Sequence, residues 1–137
     1  MDWITNQIAI GNYLDAQDKE LLQKEGIASI LSLDGSLSGR VPSELGVRRI
    51  AVVNLKDGPS NDPTTFLKAV DTVTRFATEA APVLVQCHAG RSRSAVVVAG
   101  YFIKMRGLQP DEALRLVAEK RELQVTPGLD SVLWHLA

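Results

Sequence analysis

Residues 85–94 read "VQCHAGRSRS": a cysteine, five intervening residues, then an arginine and a serine, with a glycine three positions after the cysteine. Cys87 is the one cysteine of the chain. Free cysteine is by default a small buried hydrophobe; a nucleophile seated in an anion-binding loop is the other reading. The flanking sequence bears on the choice. "PVLVQ" is a short apolar run that predicts a buried strand, and "AVVVAGYFIKMRG" after Ser94 is long and apolar with a cationic, glycine-ended C-terminus, the pattern of a largely buried helix. The cysteine therefore falls at the carboxyl end of a strand, where open α/β sheets bind ligands.

Working outward, strand-like and helix-like periods keep alternating. "QIAIG" predicts a first strand ended by Gly11, and "DAQDKELLQKEG" a helix carrying Leu21, Leu22 and Lys24 and terminated by Gly26. "IASILSL" follows as a buried strand. Residues 34–46, "DGSLSGRVPSELG", have no sustained period and predict a surface loop. "VRRIAVVNL" is the next strand; Asp62 and Pro63 then supply the N-cap and first-turn proline of a helix with Phe66, Val70, Val73 and Ala77 on one face. "QPDEALRLVAEKRE" predicts a helix from Pro110, and "TPGLDSVLWHLA" a short terminal one. The expectation is an α/β fold: one domain, residues 1–137, with a central, mostly parallel sheet of about four to five strands flanked by helices.

Fifteen basic residues against 16 acidic ones give a formal net charge of −1, which provides no global attraction to nucleic acid or to an anionic membrane. Any affinity for an anion must be local. A lone cysteine forms no internal disulfide, and the N-terminal "MDWITNQIAIGNY" lacks the basic and apolar segments of a signal peptide, so a cytoplasmic location is expected. With 45% hydrophobic residues the chain is expected to fold without a partner and to be monomeric. One cysteine and two distant histidines, His88 and His135, do not make a metal site, and no cofactor is expected.

The loop itself suits an anion. The six residues His88, Ala89, Gly90, Arg91, Ser92 and Arg93 allow backbone N–H groups to converge on one point, and the helix N-terminus adds a partial positive charge. The same field favours a thiolate at Cys87. Arg93 offers a planar fork that grips two phosphoryl oxygens, and Ser94 is placed to donate to the sulfur. At ordinary residue frequencies a given cysteine meets Gly, Arg and Ser at these offsets roughly once in several thousand trials. That rarity outweighs the buried-hydrophobe reading.

"CHAGRSRS" resembles the signature of cysteine-dependent phosphatases, closest to the dual-specificity branch, on Cys87, Gly90, Arg93 and Ser94. "IAIGNYLDAQDKELLQKEGIASIL" and "AGYFIKMRGLQPDEALRLVAEKR" resemble the family's opening strand–helix–strand and its paired later helices. The resemblance implies hydrolysis of phosphate monoesters through a phosphocysteine. The substrate implied is a phosphotyrosyl protein or peptide, with phosphoserine and phosphothreonine beside it. It also implies a general acid on a loop upstream, and Asp57 in "NLKDGPSND" matches that position. Two departures stand out. Gln86 occupies the place where the family carries a histidine that helps hold the loop, and "TPGLD" lacks the Pro-Asn pair of many relatives.

Individual residues also have plainer readings. Asp62, a competing acid, is better employed capping its helix. Arg91 is expected to point outward, and His88 is either a rim contact or a position whose main contribution is its backbone N–H. Lys24, Lys104 and Glu119 belong to solvated helix faces, Trp3 and Trp134 to packing. Two alternatives to a protein phosphatase remain open: a phosphatase of lipids or other non-protein phosphates, because "AGRSRS" also occurs in such a branch, and a non-catalytic phospho-binding module.

Overall fold

Along the chain the computed structural model, which describes residues 1–136, runs β1 (Asp2–Trp3), β2 (Ile8–Gly11), a 3₁₀ turn (Asp15–Gln17), α1 (Lys19–Glu25), β3 (Ser29–Ser32), α2 (Pro42–Leu45), β4 (Arg49–Val52), α3 (Pro63–Glu79), β5 (Val83–Gln86), α4 (Arg93–Arg106), α5 (Pro110–Ala118) and a terminal 3₁₀ segment (Leu129–His135). The five strands form one sheet in the order β1-β2-β5-β3-β4, parallel except for the β1–β2 pair. The α/β architecture expected from the alternation is present.

Strand periodicity divides the core into two layers. Ile8, Ile10, Leu31, Val83 and Val85 point to one face and pack with α3, α4 and α5; Ala9, Ile30 and Leu84 point to the other, under α1 and α2. Each large side chain removed from water in this way contributes about 1.5–3 kcal/mol. α4 is the central helix, with Val96, Val97, Val98, Phe102 and Ile103 all buried. A run of three valines is poor helix material, so tertiary burial rather than propensity holds this segment helical. Its Gly100 lets α3 approach: a Cβ there would lie 2.7 Å from Val70 Cγ2 and 3.3 Å from Phe66 Cζ.

Several boundaries differ from the sequence expectation. Residues 34–46 are not simply a surface loop: Leu37 and Leu45 are fully buried, and residues 42–45 form the single turn α2, because this segment covers the second face of the sheet. The helix expected over "DAQDKELLQKEG" is split, since the Asp18 carboxylate accepts from Leu21 N–H at 3.1 Å and starts α1 afresh. β1 is an added edge strand too short to show periodicity. α5 stops at Ala118, short of the full "QPDEALRLVAEKRE". Trp3 does pack, half-buried, with its indole N–H on Glu25 at 3.2 Å. Trp134 does not: it is 57% exposed on the terminal 3₁₀ segment.

The sheet register sets the site. Gly11, Ser32 and Gln86 are paired across β2, β3 and β5, and Val52 of β4 pairs Ser32. Four parallel strands thus end together, and the segments after β2, β3, β4 and β5 emerge at one edge.

Candidate active site

Cys87 follows directly on the central strand and is 2% exposed. Its Sγ lies 3.3 Å from Ser94 Oγ, in the first turn of α4. Between them the loop carries four successive carbonyls bonded from outside. Tyr13 N–H donates to His88 (3.1 Å), Arg121 Nη2 to Ala89 (3.3 Å), Arg121 Nε to Gly90 (2.6 Å) and Gln124 N–H to Arg91 (3.0 Å). In a trans peptide the N–H points opposite the carbonyl. The N–H groups of Ala89, Gly90, Arg91 and Ser92 are therefore turned to the other side of the loop, as an anion nest requires.

Arg93 begins α4, donates through Nη1 to the Leu55 carbonyl at 3.2 Å, and has a buried Nε without a protein partner among the described residues. Asp57 reaches the same loop from the segment after β4, accepting the Ser92 hydroxyl at 2.7 Å. Ser92 Oγ in turn accepts Thr126 N–H at 2.9 Å. A cleft of ≈ 270 Å³ opens between Asp57, Arg91, Ser92, Gln124, Thr126 and Pro127. Asp62 accepts from Thr64 N–H as the cap of α3, the structural employment expected of it. The side chains of Arg91 and His88 are exposed; the His88 ring stacks on Tyr13, centroids 4.6 Å apart and planes within 3°.

Some residues that shape the site carry no sequence signal. Arg121 sits in a charged stretch that reads as solvated surface, yet it is the outer brace of Ala89 and Gly90 and is itself held by Asp2 at 2.9 Å. Asn61 closes the Asp57 loop, accepting Lys56 N–H and donating to the Lys56 carbonyl, both at 2.8 Å. Asp34 Oδ1 collects the Ser36 N–H (3.0 Å), Ser36 hydroxyl (2.7 Å) and Gln86 Nε2 (2.8 Å). "DGS" announces a turn with Asp34 as its acceptor; the long-range partner Gln86 is legible only in three dimensions.

Burial acts to raise the Asp34 pKa, but the Ser36 N–H, the Gln86 amide, the Ser36 hydroxyl and the nearby Arg93 charge together outweigh it and hold the carboxyl below its ordinary 3.8. A carboxylate with a depressed folded-state pKa stabilises the fold fully above the unfolded value, and that contribution is lost as pH falls through the folded one. Asp34→Asn is therefore expected to flatten the acid limb of stability below about pH 4. Thermal unfolding of both proteins from roughly pH 2.5 to 6 checks this; parallel acid limbs would refute it.

A family model described as dual specificity phosphatase, catalytic domain, matches residues 8–133. The chain belongs to the dual specificity phosphatase family. Similar curated proteins include dual specificity protein phosphatase 1 of Arabidopsis thaliana, 29% identical over 118 residues that make up 86% of this chain and 59% of that protein. Another is human phosphatidylglycerophosphatase and protein-tyrosine phosphatase 1, 30% identical over 84% of this chain and 61% of that protein. The chain thus spans about three-fifths of the length of these two relatives. Human DUSP28 superposes with a TM-score of 0.84, covering 99% of this chain and 94% of that one at 23% identity, which speaks for the fold. Among the described residues no cluster of three or more His, Cys, Asp and Glu side chains is placed to hold a metal, and no helix is long and apolar enough to cross a membrane.

Proposed function

We propose that this dual specificity phosphatase domain hydrolyses phosphate monoesters of proteins through a phosphocysteine, with phosphotyrosine as the principal substrate and phosphoserine and phosphothreonine beside it. One observation carries the reading: the Cys87 thiol and the Asp57 carboxylate meet at a single loop whose four carbonyls from His88 to Arg91 are bonded from outside. Cys87 Sγ attacks phosphorus while the bond to the leaving oxygen breaks, and protonated Asp57 delivers its proton to that oxygen. Water then attacks phosphorus, the Asp57 carboxylate takes its proton, and the P–S electron pair returns to Sγ, steadied by Ser94. Arg93 and the loop N–H groups hold the three equatorial oxygens, with contacts that strengthen as the transferring group flattens. The substrate partner is a phosphorylated protein or peptide, met in a reducing cytoplasmic compartment that keeps the lone thiol free.

The test compares wild type and Asp57→Asn on phosphotyrosyl and phosphoseryl peptides, a phosphorylated glycerolipid and p-nitrophenyl phosphate. Removing a general acid lowers turnover by about 10²–10⁴-fold where the leaving oxygen needs a proton. The expected result is a loss in that range on the phosphoseryl peptide and a much smaller one on p-nitrophenyl phosphate, whose leaving group departs as an anion. Equal losses on both would move the acid elsewhere. The relative named for phosphatidylglycerophosphatase activity and the exposed Arg91 at the rim give the lipid arm its purpose. A higher kcat/KM on the lipid would replace the protein substrate, and phosphopeptide binding without turnover would make the domain a binding module.

A further inference from the structure

Gln86 is a buried amide at the end of a core strand, fully shielded from water. A polar group buried there is unfavourable unless bonded. Its Nε2 donates to Asp34 Oδ1 at 2.8 Å and to Ser36 Oγ at 3.0 Å, while its buried Oε1 has no hydrogen-bond partner among the described residues, so the clamp acts through Nε2 alone. The opposite amide orientation would place Oε1 against the carboxylate oxygen, so the network fixes which atom is the donor. Backbone bonding runs parallel to these contacts: Leu33 N–H donates to the Gln86 carbonyl at 2.8 Å. Asp34 Oδ1 is further saturated by the Ser36 N–H, the Ser36 hydroxyl and, more weakly, the Ser32 hydroxyl at 3.3 Å. The side chain immediately before the nucleophile is therefore clamped to the segment leaving β3, on a carboxylate that is itself immobilised.

We propose that Asp34 is a positioning residue for Cys87, acting through Gln86 and Ser36, and that this cluster does the loop-holding work for which relatives use a histidine before the cysteine. The inference rests on the hydrolytic reading above. Asp34 does not touch the reacting atoms; it fixes the residue from which Cys87 is presented. Displacement of a reacting group by about 1 Å lowers the rate by roughly 10²-fold, so loosening this clamp should act on kcat before KM.

The experiment measures kcat and KM for p-nitrophenyl phosphate, with melting temperatures, for wild type, Gln86→Leu, Asp34→Ala, Asp34→Asn and the Asp34→Ala/Gln86→Leu double variant. Expected are about tenfold or greater losses of kcat in each of Gln86→Leu and Asp34→Ala with KM nearly unchanged, and no further loss in the double variant, because both singles break one network. Asp34→Asn retains an acceptor oxygen in place and should recover most of the kcat. Singles within twofold of wild-type kcat at a temperature where they are folded, or losses that multiply in the double variant, overturn the proposal. If Asp34→Ala does not fold, Gln86→Leu and Asp34→Asn decide it alone. A wild type inactive on every phosphate would instead overturn the hydrolytic reading, an outcome separate from any difference among variants.

Discussion

Replacing Cys87 by serine is expected to lower turnover of p-nitrophenyl phosphate by roughly 10⁴-fold or more while leaving phosphopeptide binding undiminished, the scale on which removing a covalent nucleophile acts. Serine is close to cysteine in size, so the site stays packed around Ser94. A hydroxyl does not ionise near neutral pH, however, and no neighbour among the described residues is arranged as a base toward this atom. The proposed binding elements are separate from it: the loop N–H groups are set by outside bonds to four carbonyls, and Arg93 is anchored on the Leu55 carbonyl. Turnover of the serine variant and its affinity for a phosphotyrosyl peptide, measured by calorimetry, are the two readouts. Residual turnover above about 1% of wild type would remove the covalent mechanism. Loss of binding together with turnover, in a variant that melts as wild type does, would show that the thiol rather than the loop holds the phosphate.

How much of this was visible in the sequence follows from the range of the forces involved. The Cys87 loop, the strand before it and the helix after it are local in sequence, so spacing and periodicity suffice to find them. Asp62 as the cap of α3 is likewise local, settled by one carboxylate and the N–H two residues on. Asp57 is thirty positions from Cys87, and only the family resemblance pointed to it; the sheet register carries the end of β4 to the end of β5. Arg121, Asn61 and the Asp34–Gln86 pair were not legible. Their partners lie from 3 to 119 positions away, and an arginine, an asparagine or an aspartate in a polar stretch looks the same whether it faces solvent or a backbone carbonyl. Leu37 and Leu45 were misplaced for a related reason: single apolar residues in a Gly- and Ser-rich segment have no period, although burying them covers one face of the sheet.

Those long-range braces also explain why one loop glycine tolerates nothing larger. Gly90 has φ +70°, and a Cβ there would collide with the Gly11 carbonyl oxygen, come within 2.6 Å of its carbon and lie 2.9 Å from Arg121 Nη2. Two penalties therefore add in Gly90→Ala: about 1–2 kcal/mol for an L-residue in the left-handed region and about 1–3 kcal/mol for an overpacked contact with backbone that has little room to retreat. Their sum corresponds to a fall in Tm of roughly 5–15 °C for a chain of this size. The activity loss should exceed what stability accounts for. Relief of the clash must move the loop away from β2 or push the Arg121 guanidinium off the Ala89 and Gly90 carbonyls, and either motion disturbs the N–H groups that the proposed mechanism sets against the phosphate. A loss of roughly 10²-fold in kcat is expected at temperatures where the variant is fully folded. Gly26→Ala is the control, because Gly26 has φ +73° with open space around its missing Cβ and lies at the end of α1, outside the loop. It should show the dihedral penalty in Tm and keep its kcat. Equal kcat in the two variants would mean that the approach of Gly90 to Gly11 and Arg121 does not govern loop geometry, and the brace would be a matter of stability alone.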